Sequence, residues 1–419
     1  MSLESKTWKR IGLGAVTLLS TAVLAACGGK NSSTSSSDEI NWYTPTEIST
    51  LDVSKVTDTY SSIAIGNSGS NLLRRNEDGE LKPDLAEKVE VSEDGLTYTA
   101  TLRDGLKWSD GSDLTADDFV YTWQRIVDPA TASEYAYLAS DAHVLNAAEV
   151  ISGTKSVDEL GVKADGNKVI FTLSSPSPQF MSLLSFANFV PQNKAFVEKA
   201  GSDYGTTSEK ALYSGPYTVT KWNGSNGTFT LVKNKYYWDA KNVKLKKVNI
   251  QAVKKPDTAV QMYKDGQLDT ANISSTEAIY KANKNSKDVV DSPEATTAYL
   301  NYNESGSVKA LTNTKIRQAL NLATDREGIV KAAIDTGSKA ASALVPTGLE
   351  TLEDGTDLSK YVSQDYTYDA KQAAKLFKEG LAEIGEKSVK LTITADSDTP
   401  VAKASVDYIK QTWEDVLPG

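Results

Sequence analysis

A nucleophile, a general base or a metal cage would have to be drawn from few places in this chain. It holds one His, His143, and one Cys, Cys27. A single His excludes the multi-histidine zinc sites, and a single Cys excludes thiolate clusters and a disulfide framework. No Cys or suitably spaced Asp accompanies His143, which reads as a surface or capping residue. Ser152-Gly153-Thr154-Lys155 fits S-x-x-K, in which a Lys activates a Ser. The companion motifs K-T-G and S-D-N are missing and Gly153 would weaken the helix the pattern needs, so the segment reads as a turn. Asp110, Asp113, Asp117 and Asp118 suggest calcium. They lack the alternating spacing and closing Glu of an EF-hand loop, and turn and cap roles account for them better. The 55 acidic residues offer many pairs for glycoside hydrolysis, but nothing singles out two. G-x-S-x-G, G-x-G-x-x-G and a Walker loop are absent. The reading is therefore of no catalytic residue, no metal and no cofactor.

What remains is recognition chemistry. Nineteen Tyr and seven Trp are many for a chain with three Met. Such rings fill cores, and they also line solute-binding clefts. The net charge is -10, from 45 Lys+Arg against 55 Asp+Glu, and phosphates would be repelled, so nucleic acid is not an expected partner. At roughly 150 residues per domain, 419 residues make two to three domains with sizeable cores.

The N-terminus reads as an address. Lys6, Lys9 and Arg10 precede an apolar run from Ile11 to Ala26. That run is short for a membrane-spanning helix, which needs about 20 residues, and fits a secretory signal over 1–26. It ends Leu24-Ala25-Ala26-Cys27, which resembles the bacterial lipobox cut ahead of a lipid-modified Cys. The alternative is a buried free thiol in an ordinary signal anchor. Residues 27–38 are nearly free of apolar side chains and read as a flexible tether. The folded body is then held outside the cytoplasmic membrane, with membrane contact through the lipid anchor only.

The elements of that body follow from local patterns. Ile40 to Trp42 alternates like a strand, and Thr46 to Asp52 reads as a loop. Val89 to Trp108 reads as a β-meander: Val89 and Val91, a turn at Glu93-Asp94-Gly95, Leu96, Tyr98, Ala100 and Leu102 on one face, then Asp104-Gly105 turning into Leu106 and Trp108. Thr115 with Asp118 is a capping-box pattern, opening a helix with Phe119, Trp123, Ile126 and Val127 inward. Strands are predicted at Val169–Leu173, Val243–Val253, Ala298–Tyr302 and Val389–Ile393, and a hairpin at Tyr217–Trp222 with Thr228–Val232. Helices are predicted at Gln179–Phe189, Thr258–Lys264, Thr314–Ile334, Asp369–Ile384 and Val401–Trp413. The body is mixed α/β, strand-rich before about residue 300 and helical after it, with no internal repeat.

Seven stretches carry a resemblance. Leu85 to Tyr98 (LAEKVEVSEDGLTY), Leu102 to Gly111 (LRDGLKWSDG) and Leu114 to Arg125 (LTADDFVYTWQR) come first. Ser214 to Trp222 (SGPYTVTKW), Asn234 to Trp238 (NKYYW), Tyr263 to Asp269 (YKDGQLD) and Ile316 to Arg326 (IRQALNLATDR) follow in order. Together they resemble the family 5 extracellular solute-binding proteins, the oligopeptide-, dipeptide- and nickel-binding lipoproteins of ABC importers. Val127 to Tyr137 and Asp158 to Ala164 resemble the oligopeptide-binding branch.

The resemblance implies a type II, periplasmic-binding-protein-like clamp of two lobes. Residues 39–72 and 193–297 would form lobe I, 73–192 its β-rich accessory domain, and 298–419 part of lobe II. Family members are commonly longer. The rest of lobe II, with the Asp that pairs with the ligand α-amine, is therefore expected past residue 419. By the same resemblance Glu47, Ile48 and Tyr135 are the expected ligand contacts, an oligopeptide the ligand, ABC permease subunits the partner, and the receptor a monomer. Each contact has a structural counter-reading: Glu47 as a turn or cap residue, Ile48 and Tyr135 as packing. Two other functions stay open at this point: the same fold holding a signalling peptide, a glycan or a metal chelate, or a lipid-anchored hydrolase.

Overall fold

The computed structural model describes residues 38–77, 79–292, 294, 296–334, 337–350, 352, 354–362, 367–396 and 399–419. The leader, Cys27 and the serine-rich run as far as Ser37 lie outside the described residues.

In chain order the strands are β1 (Glu39–Thr44), β2 (Leu73–Arg75), β3 (Leu81–Pro83), β4 (Ala86–Val91), β5 (Thr97–Leu102), β6 (Val162–Asp165), β7 (Lys168–Thr172), β8 (Tyr217–Thr220), β9 (Thr228–Lys233) and β10 (Lys247–Ala252). The helices of nine or more residues are α1 (Thr59–Ser68), α2 (Ala116–Val127), α3 (Pro256–Lys264), α4 (Thr314–Leu322), α5 (Ala370–Ile384) and α6 (Pro400–Val416). Contacts divide the described residues into two compact units, the first up to residue 254 with 261–270 and the second 255–260 with those after 270.

The first unit holds two four-stranded sheets and a two-stranded ribbon. One sheet runs β1-β10-β9-β8, with β1 parallel to β10 and the other pairs antiparallel. The other runs β4-β5-β7-β6 and is wholly antiparallel, and β2 pairs with β3. The β4–β5 hairpin forms because Gly95 takes the positive φ of 70° that the turn requires, while the Asp94 carboxylate accepts from Leu96 N at 3.0 Å. Tyr98, Ala100 and Leu102 then bury on one face, as the alternation predicts.

Against that face lies α2. Its capping box is present: Asp118 accepts from Thr115 N at 2.9 Å while the Thr115 side chain receives the Asp118 N–H. Phe119, Trp123 and Ile126 are fully buried. Trp123 stacks on Phe189 at 4.0 Å between ring centroids and meets Phe171 edge-on at 5.2 Å. Such pairs each contribute about 0.5–1.5 kcal/mol beyond area burial. A second core, with Ile48, Leu51, Ile65, Trp222, Phe229 and Ile250, packs beneath the β1-β10-β9-β8 sheet.

The second unit is helical among its described residues. Asn313 caps α4 by accepting from Ile316 N, and Asp369 caps α5 by accepting from Gln372 N. Ile316, Ala319 and Leu320 of α4 pack with Phe377 and Leu381 of α5. The helices approach closely at Gly380, where an added Cβ would sit 2.6 Å from Ile316 Cγ1. The Tyr408 hydroxyl of α6 donates to Asp325 at 3.2 Å, and Trp413 Nε1 donates to Thr324 Oγ1 at 3.1 Å.

Several expected elements differ. Leu106 to Trp108 is not a third meander strand but a lone bridge of Lys107 to Asp113, because the free edge of β5 is taken by β7. Ala298–Tyr302 and Val389–Ile393 alternate but form no strand; a strand needs a partner ladder, and the last strand among the described residues ends at Ala252. Gln179–Phe189 is one helical turn, Phe180–Leu183, and a 3-10 turn, Ala187–Phe189, with the Phe186 carbonyl drawn off by Asn71 Nδ2 at 3.0 Å. Thr314–Ile334 breaks after α4 because Asp325 caps a new turn by accepting from Gly328 N at 2.9 Å. The strand expected at Val243 starts at Lys247.

Candidate functional site

Glu47 and Ile48 lie on the loop that follows β1, at the C-terminal ends of the parallel pair β1 and β10. Ligands of α/β proteins favour that end of parallel strands. The loop has no regular structure of its own, so its position depends on side chains. Ser49 N donates to Ser61 Oγ at 2.8 Å, and Ser49 Oγ donates to Asp58 at 2.6 Å. Asp58 also caps α1, accepting from Ser61 N at 2.7 Å. Burial alone would raise the Asp58 pKa, but the hydrogen bonds from Ser49 and Ser61 outweigh it and hold it below the usual carboxylate range.

Further along, Leu51 N donates to Gly205 O at 2.8 Å. Gly205 has φ +73°, and a Cβ there would fall 2.1 Å from Asp52 N, so only glycine fits. Asp52 then receives a bidentate fork from Arg125 of α2, at 2.6 and 2.8 Å, with both side chains largely buried. Arg125 also donates to Gln192 Oε1 at 2.7 Å, Gln192 Nε2 donates to Ser54 Oγ at 2.9 Å, and the guanidinium lies 5.1 Å from the Tyr204 ring centre. A buried ion pair thus joins α2 to the loop that bears Glu47. The composition and motifs gave no warning of it. The helical phase did: Asp118, Thr122 and Arg125 share one face of α2, and the first two are buried.

The three expected contacts do not come together as one group. Glu47 is exposed, and its Oε1 lies 3.2 Å from Lys254 Nζ beside the Gly227 turn. Ile48 is 5 % exposed and packs in the core beneath the sheet, so its side chain is structural. Tyr135 sits elsewhere, on the rim of the core around Trp123 and Phe171, edge-on to Phe186 at 5.9 Å and stacked with Tyr137 at 6.3 Å. Tyr137 and Phe186 are both exposed, which makes a three-ring surface where the sequence offered one Tyr. Behind the loop, a small cavity lined by Leu51, Val53, Ile65, Val190 and Tyr204 holds no ionised group and is a packing gap.

The other chemical candidates are structural. Asp118 accepts from Trp108 Nε1 at 3.2 Å as well as capping α2, and burial lifts its pKa to about 6. Lys155 Nζ donates to Asn146 Oδ1 at 2.6 Å, and Gly153 turns the chain with φ +74°, as the turn reading of this segment requires. His143 is exposed. Among the described residues no three His, Cys, Asp or Glu gather as a metal site, and no helix is long and apolar enough to cross a membrane.

The same holds for the family-like motifs. Gly215 packs so tightly that a Cβ would lie 2.7 Å from the Gly69 carbonyl group. Asn234 Nδ2 donates to Gly215 O at 2.9 Å, and Tyr237 and Trp238 both donate to buried Asp84, at 3.0 and 2.9 Å. Desolvation raises the Asp84 pKa despite those bonds.

This fold is that of the type II solute-binding proteins. A dipeptide-binding protein of Lactococcus lactis subsp. cremoris is 40 % identical over 425 residues, covering 99 % of this chain and 76 % of that protein. The structure of Listeria monocytogenes OppA bound to peptide superposes with a TM-score of 0.81 at 32 % identity, covering 91 % of this chain and 75 % of that one. The substrate-binding domain of an oligopeptide ABC transporter from Bacillus anthracis gives 0.80 at 35 %, covering 91 % and 74 %. Residues 80–417 match the Bacterial extracellular solute-binding proteins, family 5, and the chain belongs to that family.

Proposed function

We propose that the protein captures oligopeptides outside the cytoplasmic membrane and delivers them to the permease of an ABC importer. The observation that carries this reading is the fold shared with a peptide-bound receptor over 91 % of the chain. An extended peptide is held through its main chain, as in strand addition, so a receptor of this kind needs polar loop backbone and aromatic walls rather than a nucleophile. Residues 46–48 offer the first, and Tyr135 with its two neighbours offers the second. Glu47 is the proposed polar contact, Ile48 a main-chain contact and Tyr135 a wall. The proposed lobe I is 39–72 with 193–297, its accessory domain 73–192, and the part of lobe II present 298–419. The receptor acts as a lipid-anchored monomer on the cell surface of a Gram-positive bacterium, attached through Cys27, and performs no catalysis.

Mass spectrometry of ligands co-purified with the full chain, followed by calorimetry with a tri- to pentapeptide pool, tests the reading. Peptides should be recovered unaltered, and Glu47→Ala and Tyr135→Ala should each weaken binding about tenfold, the scale of one polar contact or one ring face. Recovery of a glycan or metal chelate instead, or peptide turnover lost on changing a single Ser, Asp or Glu, would replace it. Cys27→Ala should abolish incorporation of labelled palmitate; equal labelling of the variant would sink the anchor.

A further inference from the structure

Between Lys233 and Lys247 the chain carries six lysines and one acid, Asp239. The fold gathers them at one end of a sheet. Lys233 Nζ donates to Val243 O at 2.9 Å, closing the β9–β10 connection on itself. Asp239 is 9 % exposed, and its carboxylate accepts from Asn242 at 2.6 Å, so it offers little to the outside. Lys246 pairs with Asp38 at 2.6 Å and Lys247 with Glu39 at 3.0 Å. Lys235, Lys241 and Lys244 are exposed and have no carboxylate in ion-pair reach among the described residues. Set against Asp239, Asp38 and Glu39, the six lysines leave three positive charges on a chain whose net charge is -10. Two further acids lie beside the connection: Asp84 is 3 % exposed and accepts from Tyr237 and Trp238, and Asp110 is next to Gly111, whose added Cβ would lie 3.0 Å from Tyr236, with its Oδ1 engaged by Ser112.

The location gives this cluster its meaning. Asp38 is where the described chain begins, and its carbonyl accepts from Lys246 N at 2.6 Å. Ten residues separate it from Cys27. Eleven peptide steps span at most about 36–40 Å. The lysines therefore lie at the point where the chain leads back to the proposed lipid anchor. The loop with Glu47 and its partner Lys254 lies at the other end of the parallel pair β1 and β10, about 20 Å away along six residues.

We propose that the lysine cluster of the β9–β10 connection is a docking surface for an anionic lipid bilayer, resting the first unit on the membrane beside its own anchor with the Glu47 loop turned away from the lipid. The proposal rests on the lipid-anchor reading of Cys27 and is independent of which ligand the receptor binds. A lysine near an anionic surface favours the bound state roughly fivefold, and the effect fades beyond a Debye length of about 10 Å at 0.1 M salt. A stretch whose reach is at most about 36–40 Å lets the cluster come within that range of the surface, where the attraction selects an orientation. The overall negative charge helps the selection, because the other faces are repelled.

The test uses the full chain, acylated at Cys27 and reconstituted in vesicles of phosphatidylcholine alone or with a third replaced by phosphatidylglycerol. A soluble amine-acylating reagent is applied, and each lysine is read by mass spectrometry. Lys235, Lys241 and Lys244 should react several-fold more slowly on the anionic vesicles, high salt should remove the difference, and Lys254 should be unaffected. In the triple variant Lys235→Gln, Lys241→Gln, Lys244→Gln, the remaining reporter Lys246 should lose its protection while peptide affinity stays unchanged. Equal labelling on both vesicles overturns the proposal. So does the same slowing by soluble polyphosphate without vesicles, which would mark a phosphate-polymer site. A chain that does not stay on neutral vesicles overturns the anchor, and this surface with it.

Discussion

Arg125 and Asp118 sit two turns apart on α2 and behave oppositely as charges. Arg125 is paired on both prongs, so removing it strands the Asp52 carboxylate at 5 % exposure. Arg125→Ala should cost about 3–5 kcal/mol, read from the urea midpoint, and Arg125→Lys should recover only part of that because one ammonium cannot fill a two-pronged fork. Asp118 is held by two N–H donors but loses more to burial. Its carboxyl titrates at about 6 in the folded chain against an ordinary 3.8. The folded state therefore binds the extra proton between those values. That stabilisation is complete below about pH 4 and is lost as the pH rises through 6. The fall should be of the order of 2–3 kcal/mol. Asp118→Asn, which cannot titrate, should show a flatter stability profile over this window in chemical denaturation. Parallel profiles for the two proteins would mean that Asp118 keeps an ordinary pKa.

At the level of elements, the family-like stretches prove to be joints. Gly215 leads into β8 against the backbone of Ser68 and Gly69, where even a methyl group has no room. Gly215→Ala should lower stability by roughly 1–3 kcal/mol, visible in the melting temperature, without touching any proposed ligand contact. The elements legible in the sequence are those with a local cause: the capped, one-faced α2, α5 with Asp369 before it, the Gly95 hairpin, and β8–β9 around the Asn223–Gly227 turn. The strands that failed depend on a partner. The alternation at Ala298–Tyr302 is as regular as that of β1, but β1 has β10 beside it. The site was legible only as a place on the loop after β1. The Asp52–Arg125 pair lies 73 residues apart in sequence, and Tyr137 and Phe186 join Tyr135 only through tertiary packing.

On the scale of the whole molecule, each unit has its own hydrophobic core. Scanning calorimetry should therefore resolve more than one transition. Phe377→Ala, at 2 % exposure in the helical core, should lower one transition by about 3–5 kcal/mol and leave the other in place; a joint shift would show the two to be a single cooperative body. The β1-β10 pairing has one more consequence, in time rather than space. Every residue of β1 pairs with one 208 positions later, as Glu39 does with Lys247. At a synthesis rate of roughly 5–20 residues per second, β1 waits about 10–40 s for its partner to be made. The hairpins β8–β9 and β9–β10 close within microseconds of emerging, so the nascent sheet first exists as three strands with an open edge on β10. Whatever keeps β1 from pairing with anything else during that interval governs the yield of folded receptor.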